Sequence, residues 1–141
     1  MTRHTLEILL ILAGIAHLCI TSAGVVMTFV LDWRKNLATL TALTRHIIWV
    51  HGLFVLLTII AFGMISLTRA GELASGAPLA RAVCGFIALF WAVRLLIQFF
   101  LFDARPFLTR RLLALGYHGL TVVFVYFTIV YAVAALLPRR V

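Results

Sequence analysis

Phe90-Trp91-Ala92-Val93-Arg94-Leu95-Leu96-Ile97-Gln98-Phe99-Phe100 is apolar enough for the middle of a membrane helix, yet it carries an arginine. An ionisable side chain at that depth is costly, faces the interior of a bundle as a rule, and marks a functional site by default. The rest of the chain is therefore read for what could meet Arg94.

The composition agrees with a membrane setting. Of 141 residues, 65% are hydrophobic and 11% charged, and the mean hydropathy is +1.17. Soluble domains run near 45–50% apolar and about 25% charged. Four stretches reach the roughly 20 apolar residues that a hydrocarbon core demands, namely Leu6–Leu31, His46–Leu67, Arg81–Phe102 and Leu112–Leu137. Lipid leaves an open strand's backbone groups unsatisfied, so each span must be a helix. Short connections then predict an all-α, up-down-up-down four-helix bundle in one domain over residues 1–141, with spans 1 and 3 diagonal and spans 2 and 4 diagonal. Arg3, an apolar run and Thr21-Ser22-Ala23-Gly24 imitate a cleavable signal. The run continues through Val25–Val30, so a retained span is expected.

The net charge is +8, from 12 Lys+Arg against 4 Asp+Glu. Every cation except Arg94 lies at or between the spans, where it suits anionic lipid head groups rather than nucleic acid. Arg3, Arg69, Arg81, Arg139 and Arg140 sit on one side. Arg34, Lys35, Arg45, Arg105, Arg110 and Arg111 sit on the other, so the charge bias sets no orientation. Cys19 and Cys84 lie in apolar helices and form no Cys-x-x-Cys, which removes thiol-exchange and thiolate-zinc motifs.

Small and hydroxyl residues let helices approach in lipid. Ala13, His17, Thr21, Gly24 and Thr28 fall on one side of span 1, so His17 should point into the bundle, with Leu9, Leu12 and Ile20 opposite. Trp33 is an interfacial anchor. Asn36 can cap a helix, and Leu37–Arg45 predicts a short helix on the membrane or an extension of span 2. In span 2, Thr58 and Phe62 continue the His51 face, while Gly52 and Gly63 predict a close helix contact. In span 3, Trp91, Arg94 and Gln98 share a side, with Cys84 near its edge. In span 4, Val122, Val125 and Ile129 extend the His118 face, beside Tyr126.

Depth follows from the rise of about 1.5 Å per residue. His51 and His118 come out about 8–9 Å inside the membrane and Gln98 about 6 Å, with Arg94 a turn deeper and His17 near the midplane. Arg94 has no acid at its level, since Glu7, Asp32, Glu72 and Asp103 all lie near the surfaces. Either it is held structurally by Gln98, a freed carbonyl or Tyr126, or it awaits a ligand: a quinone carbonyl, a tetrapyrrole propionate or a lipid phosphate. His17, Trp91 and Tyr126 complete that candidate pocket. His51 and His118, at matched depth, are candidate axial ligands of a b-type haem, and a single intramembrane His otherwise hydrogen-bonds a neighbouring helix. No metal set is expected, because catalytic zinc usually has three protein ligands. Gly-x-Ser-x-Gly, a phosphate-binding loop, His-Glu-x-x-His and an intramembrane acid pair are all missing from the sequence.

In length, in its four spans and in Gly14-x-x-His17, the chain looks like the small bacterial membrane proteins of the DoxX-like type. Arg45-x-x-x-Trp49-Val50-His51-Gly52, Ala61-Phe62-Gly63 and Trp91-x-x-Arg94 also resemble bacterial sequences of similar size. The DoxX-like resemblance implies the bacterial inner membrane and a membrane-protein partner in a quinone-linked redox system. The expectation is a non-enzymatic accessory subunit or homo-oligomer, with electron transfer through haem b or quinone/lipid binding as the alternatives.

Overall fold

The computed structural model describes residues 2–100 and 111–136, the side chains of 111–113 excepted. It is an all-α bundle of four long helices, α1 (Arg3–Val30), α3 (Ala42–Thr68), α5 (Pro78–Phe100) and α6 (Arg111–Leu136), with short helices α2 (Trp33–Ala38) and α4 (Ala70–Leu73) in the first two connections. All four long helices are long and apolar enough to cross a membrane. The end of span 3 at Phe102, the third connection with Asp103, Arg105 and Arg110, and the closing Pro138-Arg139-Arg140 lie outside the described residues, as does the Arg111 side chain.

The helix ends have local causes. The Thr2 hydroxyl accepts from the Thr5 amide and the Thr41 hydroxyl from the Thr44 amide. Each side chain thus satisfies one donor left free by the first turn. The cap at Thr41 starts α3 four residues before His46. Of the two alternatives for Leu37–Arg45, the extension of span 2 is realised from Ala42 onward, and the short helix α2 lies earlier, at Trp33–Ala38. Asn36 caps in an unexpected direction: its Nδ2 donates to the Leu31 carbonyl at 2.8 Å and closes the end of α1. The chain turns there through Asp32, which has a φ of 48°. Pro78 opens α5, where its missing N–H costs nothing.

Around the bundle the order is α3, α1, α6, α5, with α1 packed on α3 and on α6, and α5 on α6. Phe62 of α3 meets Phe86 and Phe90 of α5 edge-on and closes the ring. Spans 1 and 3 are diagonal, as are 2 and 4. Gly14 and Gly63 make the α1–α3 crossing possible: a Cβ on Gly14 would sit 2.7 Å from Leu67 Cγ, and one on Gly63 would sit 3.0 Å from His17 Cβ. Gly52, expected at the same kind of contact, has nothing within 4 Å of where its Cβ would be.

Among the described residues the core is confined to one end. Leu6, Leu10, Ala13, Gly14 and His17 of α1 are buried, but nothing beyond His17 is. In α3 burial begins at Phe62, and in the described part of α6 at Phe124. The start of α1, the end of α6 and α4 lie at the sealed end. Buried Ala70 and Leu73 plug it. Arg3 donates to the Gly71 carbonyl at 3.1 Å and Arg81 Nε to the Ala135 carbonyl at 2.7 Å, which answers an acceptor at the end of α6. Toward the first connection the core stops. Gly24, Gly116 and Gly119 have open space beside them there.

Candidate functional site

The chemistry-bearing residues meet where the sealed half ends. His17 is fully buried. Its Nδ1–H donates to the Ala13 carbonyl at 2.7 Å, and its Nε2 accepts from Trp91 Nε1–H at 3.1 Å. Because the indole can only donate, this pair fixes the imidazole as the neutral Nδ1–H tautomer. The ring stacks on Phe127 at 3.9 Å between centroids, and Phe62, Trp91 and Tyr131 present edges to it. Both nitrogens are used and every side is walled.

A second diagonal bond lies beside the first. Ser66 of α3 and Tyr131 of α6, both buried, join hydroxyl to hydroxyl. Each diagonal pair of helices is thus tied by one buried polar contact, α1–α5 through His17–Trp91 and α3–α6 through Ser66–Tyr131. Ser66 and Tyr131 were not foreseen from the sequence. Their signal was the spacing: Phe62-Gly63-Ser66 and Phe124-Phe127-Tyr131-Ala134 both recur at three and four residues, as a buried stripe does. Tyr126, which was foreseen, donates instead to the Leu9 carbonyl at 2.8 Å and pins α6 to α1.

The remaining expected residues separate. Gln98 is buried, and its Nε2 donates to Thr121 Oγ1 at 2.6 Å, holding α5 on α6. Arg94 is exposed. Its described neighbour is the Phe124 ring, 5.4 Å from the guanidinium carbon. It bonds neither Gln98 nor Tyr126. Helical phase accounts for the split: at 100° per residue, Gln98 returns to within about 20° of Trp91, while Arg94 stands about 60° away. Of the two cysteines, Cys84 is buried and Cys19 exposed.

His51 and His118 are both exposed, and the structure does not bring them together. His51 shares a stripe with buried Phe62, so it looks toward the open half. His118 lies about half a turn from the Phe127 face, with Val122 and Ile129 at 69% and 57% exposure on its own side. Holding one haem b between this pair in a single chain would require α6 to rotate by about half a revolution. The reduced absorption spectrum of protein from haem-replete cells measures this. A split low-spin band lost in both His51→Ala and His118→Ala would mean that the helix had rotated. Among the described residues no group of three or more His, Cys, Asp or Glu side chains is placed to hold a metal.

Thr21, one turn beyond His17 toward the open half, has a buried hydroxyl with no hydrogen-bond partner among the described residues. Because α1 and α5 run parallel, Thr21 and Arg94 stand at about the same level, just past the His17–Trp91 bond. The arrangement is an aromatic floor with a hydroxyl and a guanidinium above it that have no hydrogen-bond partner among the described residues. Compared with protein families, with characterised proteins and with solved structures, the chain matches none.

Proposed function

We propose that the chain is a small, non-enzymatic module of the bacterial inner membrane that works bound to another membrane protein, with Arg94 marking the docking face. The observation that carries this reading is the exposure of Arg94 within a membrane span, beside an aromatic ring. A guanidinium in hydrocarbon costs about 2.5–3.5 kcal/mol even on the insertion scale, and a cation–π contact returns about 0.5–2 kcal/mol. Among the described residues Arg94 forms no ion pair, and in this reading the balancing carboxylate or carbonyl belongs to a neighbouring span. The open apolar faces of α3 and α6 supply the remaining contact area.

Arg94→Leu is expected to abolish co-purification of the partner in mild detergent while leaving the isolated bundle folded and about 1 kcal/mol more stable. Native electrophoresis and thermal unfolding read the two effects. An unmodified chain that runs as a lone monomer without ligand would count against the reading. Unfolding of Arg94→Leu would make Arg94 a structural clasp.

Thr21 favours a second reading, in which a polar lipid-soluble molecule such as a quinone sets its carbonyl between the Thr21 hydroxyl and Arg94. Thr21→Val and Arg94→Leu would then both empty the site of extractable quinone. A partner-docking face would respond to Arg94→Leu alone.

A further inference from the structure

At the membrane face of the open end, Arg34 of α2 and Arg45, His46 and Trp49 of α3 line a pocket of about 520 Å³. It is distinct from the Arg94 level, which lies deeper. Its walls are fixed by the first connection. Asn36 closes the end of α1, the Asp32 carbonyl accepts from the amides of Lys35 and Asn36, and Trp33 packs edge-on against Trp49 at 6.2 Å. The pocket therefore lies between a short surface helix and the first turns of a membrane span, beside two indoles of the kind that settle at head-group depth.

We infer that this pocket binds the phosphate of an anionic phospholipid head group. Two guanidiniums and an imidazole converge on it, and guanidinium forks match phosphate oxygens two at a time. Among the described residues the ion pair formed is Arg69–Glu72, at the opposite end, so no described carboxylate occupies Arg34 or Arg45. The positive end of the α3 helix dipole adds to the same field. The volume lies within the usual range for small-molecule sites, about 300–1,000 Å³, and exceeds what a bare phosphate ion fills, leaving room for a glycerol. Below the pocket, Leu53 and Leu57 continue the His46–Trp49 stripe of α3, both exposed, and provide an apolar track for acyl chains. That track argues for a lipid rather than a soluble phosphate.

The test is retention of phosphatidylglycerol by the full chain, counted by native mass spectrometry after detergent exchange at roughly 0.3 M salt. Screening then falls below 8 Å and suppresses diffuse attraction. The double variant Arg34→Gln/Arg45→Gln is expected to retain about 25-fold less lipid, since each cation near an anionic surface accounts for roughly a fivefold factor. The charge-matched control Lys35→Gln/Arg69→Gln should stay within about twofold of the unaltered protein. Equal loss in the control would reduce the site to general surface charge, and retention unchanged in both would overturn it. Competition by soluble glycerol phosphate at equal concentration would reassign it to a free phosphate. A readout needing no variant is quenching of tryptophan fluorescence by brominated lipids. Trp33 and Trp49 should be quenched more by brominated phosphatidylglycerol than by brominated phosphatidylcholine, and equal quenching would refute the assignment.

Discussion

Trp91→Ala should be the most damaging single substitution in this chain, lowering stability by about 5 kcal/mol. The indole is 1% exposed. It stacks on Phe124 at 4.8 Å and touches Phe127 and Phe90 at 4.9 and 5.3 Å between centroids. Truncating a buried tryptophan to alanine costs about 3–5 kcal/mol through lost contacts and the cavity left behind. The His17 Nε2 is then orphaned in a dry core, which adds about 1–3 kcal/mol. Trp91→Phe keeps most of the packing and loses the hydrogen bond, so its loss should be about 1–3 kcal/mol. A cycle with His17→Ala should show strong coupling, because either change alone strands the other partner. Unfolding in detergent micelles, followed by helix content and near-ultraviolet dichroism, gives these values. A Trp91→Ala protein within about 1 kcal/mol of the original would mean that the aromatic floor does not hold the bundle together.

The second large effect is expected where α1 crosses α3. Gly63→Val should cost about 1–3 kcal/mol and spread the pair, since a Cβ there meets His17 Cβ at 3.0 Å and the Gly14 carbonyl at 3.3 Å. Backbone and a branch-point carbon cannot yield as the tip of a long side chain can. Gly14→Ala should behave similarly, against the Gly63 carbonyl at 3.1 Å. By contrast Gly24→Ala and Gly52→Ala meet empty space and should be neutral or stabilise by up to about 1 kcal/mol through helix propensity. Thermal midpoints of the four variants in one detergent make the comparison. Equal behaviour of the two glycine pairs would remove the close crossing from the account.

The contrast between these glycines shows where the sequence was legible. The four spans could be read because bilayer thickness sets their length and lipid forbids other backbones. The inward face of α1 was legible as far as His17, where small residues face a neighbouring helix. Thr21, half-buried, and Gly24, exposed, continue the same stripe, but no described atom lies within 4 Å of where a Cβ on Gly24 would stand. A periodic pattern says which way a side chain looks, not whether anything stands opposite. Leu12 is outward as expected, while Leu9 and Ile20 pack partly against the core.

In α6 the difficulty was different. The helix is apolar on all sides, as a membrane span is, so the stripe of Val122, Val125 and Ile129 reads as well as that of Phe124, Phe127 and Tyr131. Only the latter is buried. The polarity of His118 drew attention to the wrong side of α6. At the centre, the sequence placed His17 within about a turn of Arg94. Its partner proved to be Trp91, three residues earlier, whose indole N–H reaches the imidazole, while Arg94 stands about 60° further round the helix.

The confinement of the core to one end also has a consequence for the surrounding lipid. A body densely packed at one membrane face and, among its described residues, sparsely packed at the other displaces unequal areas from the two leaflets, as a wedge does. Such a body relieves elastic stress where the leaflet around its broad end is the outer, stretched one, and adds stress where that leaflet is compressed. Inserted into vesicles of graded diameter, the protein should collect in the smallest ones when its first connection faces outward and avoid them when that connection faces the lumen.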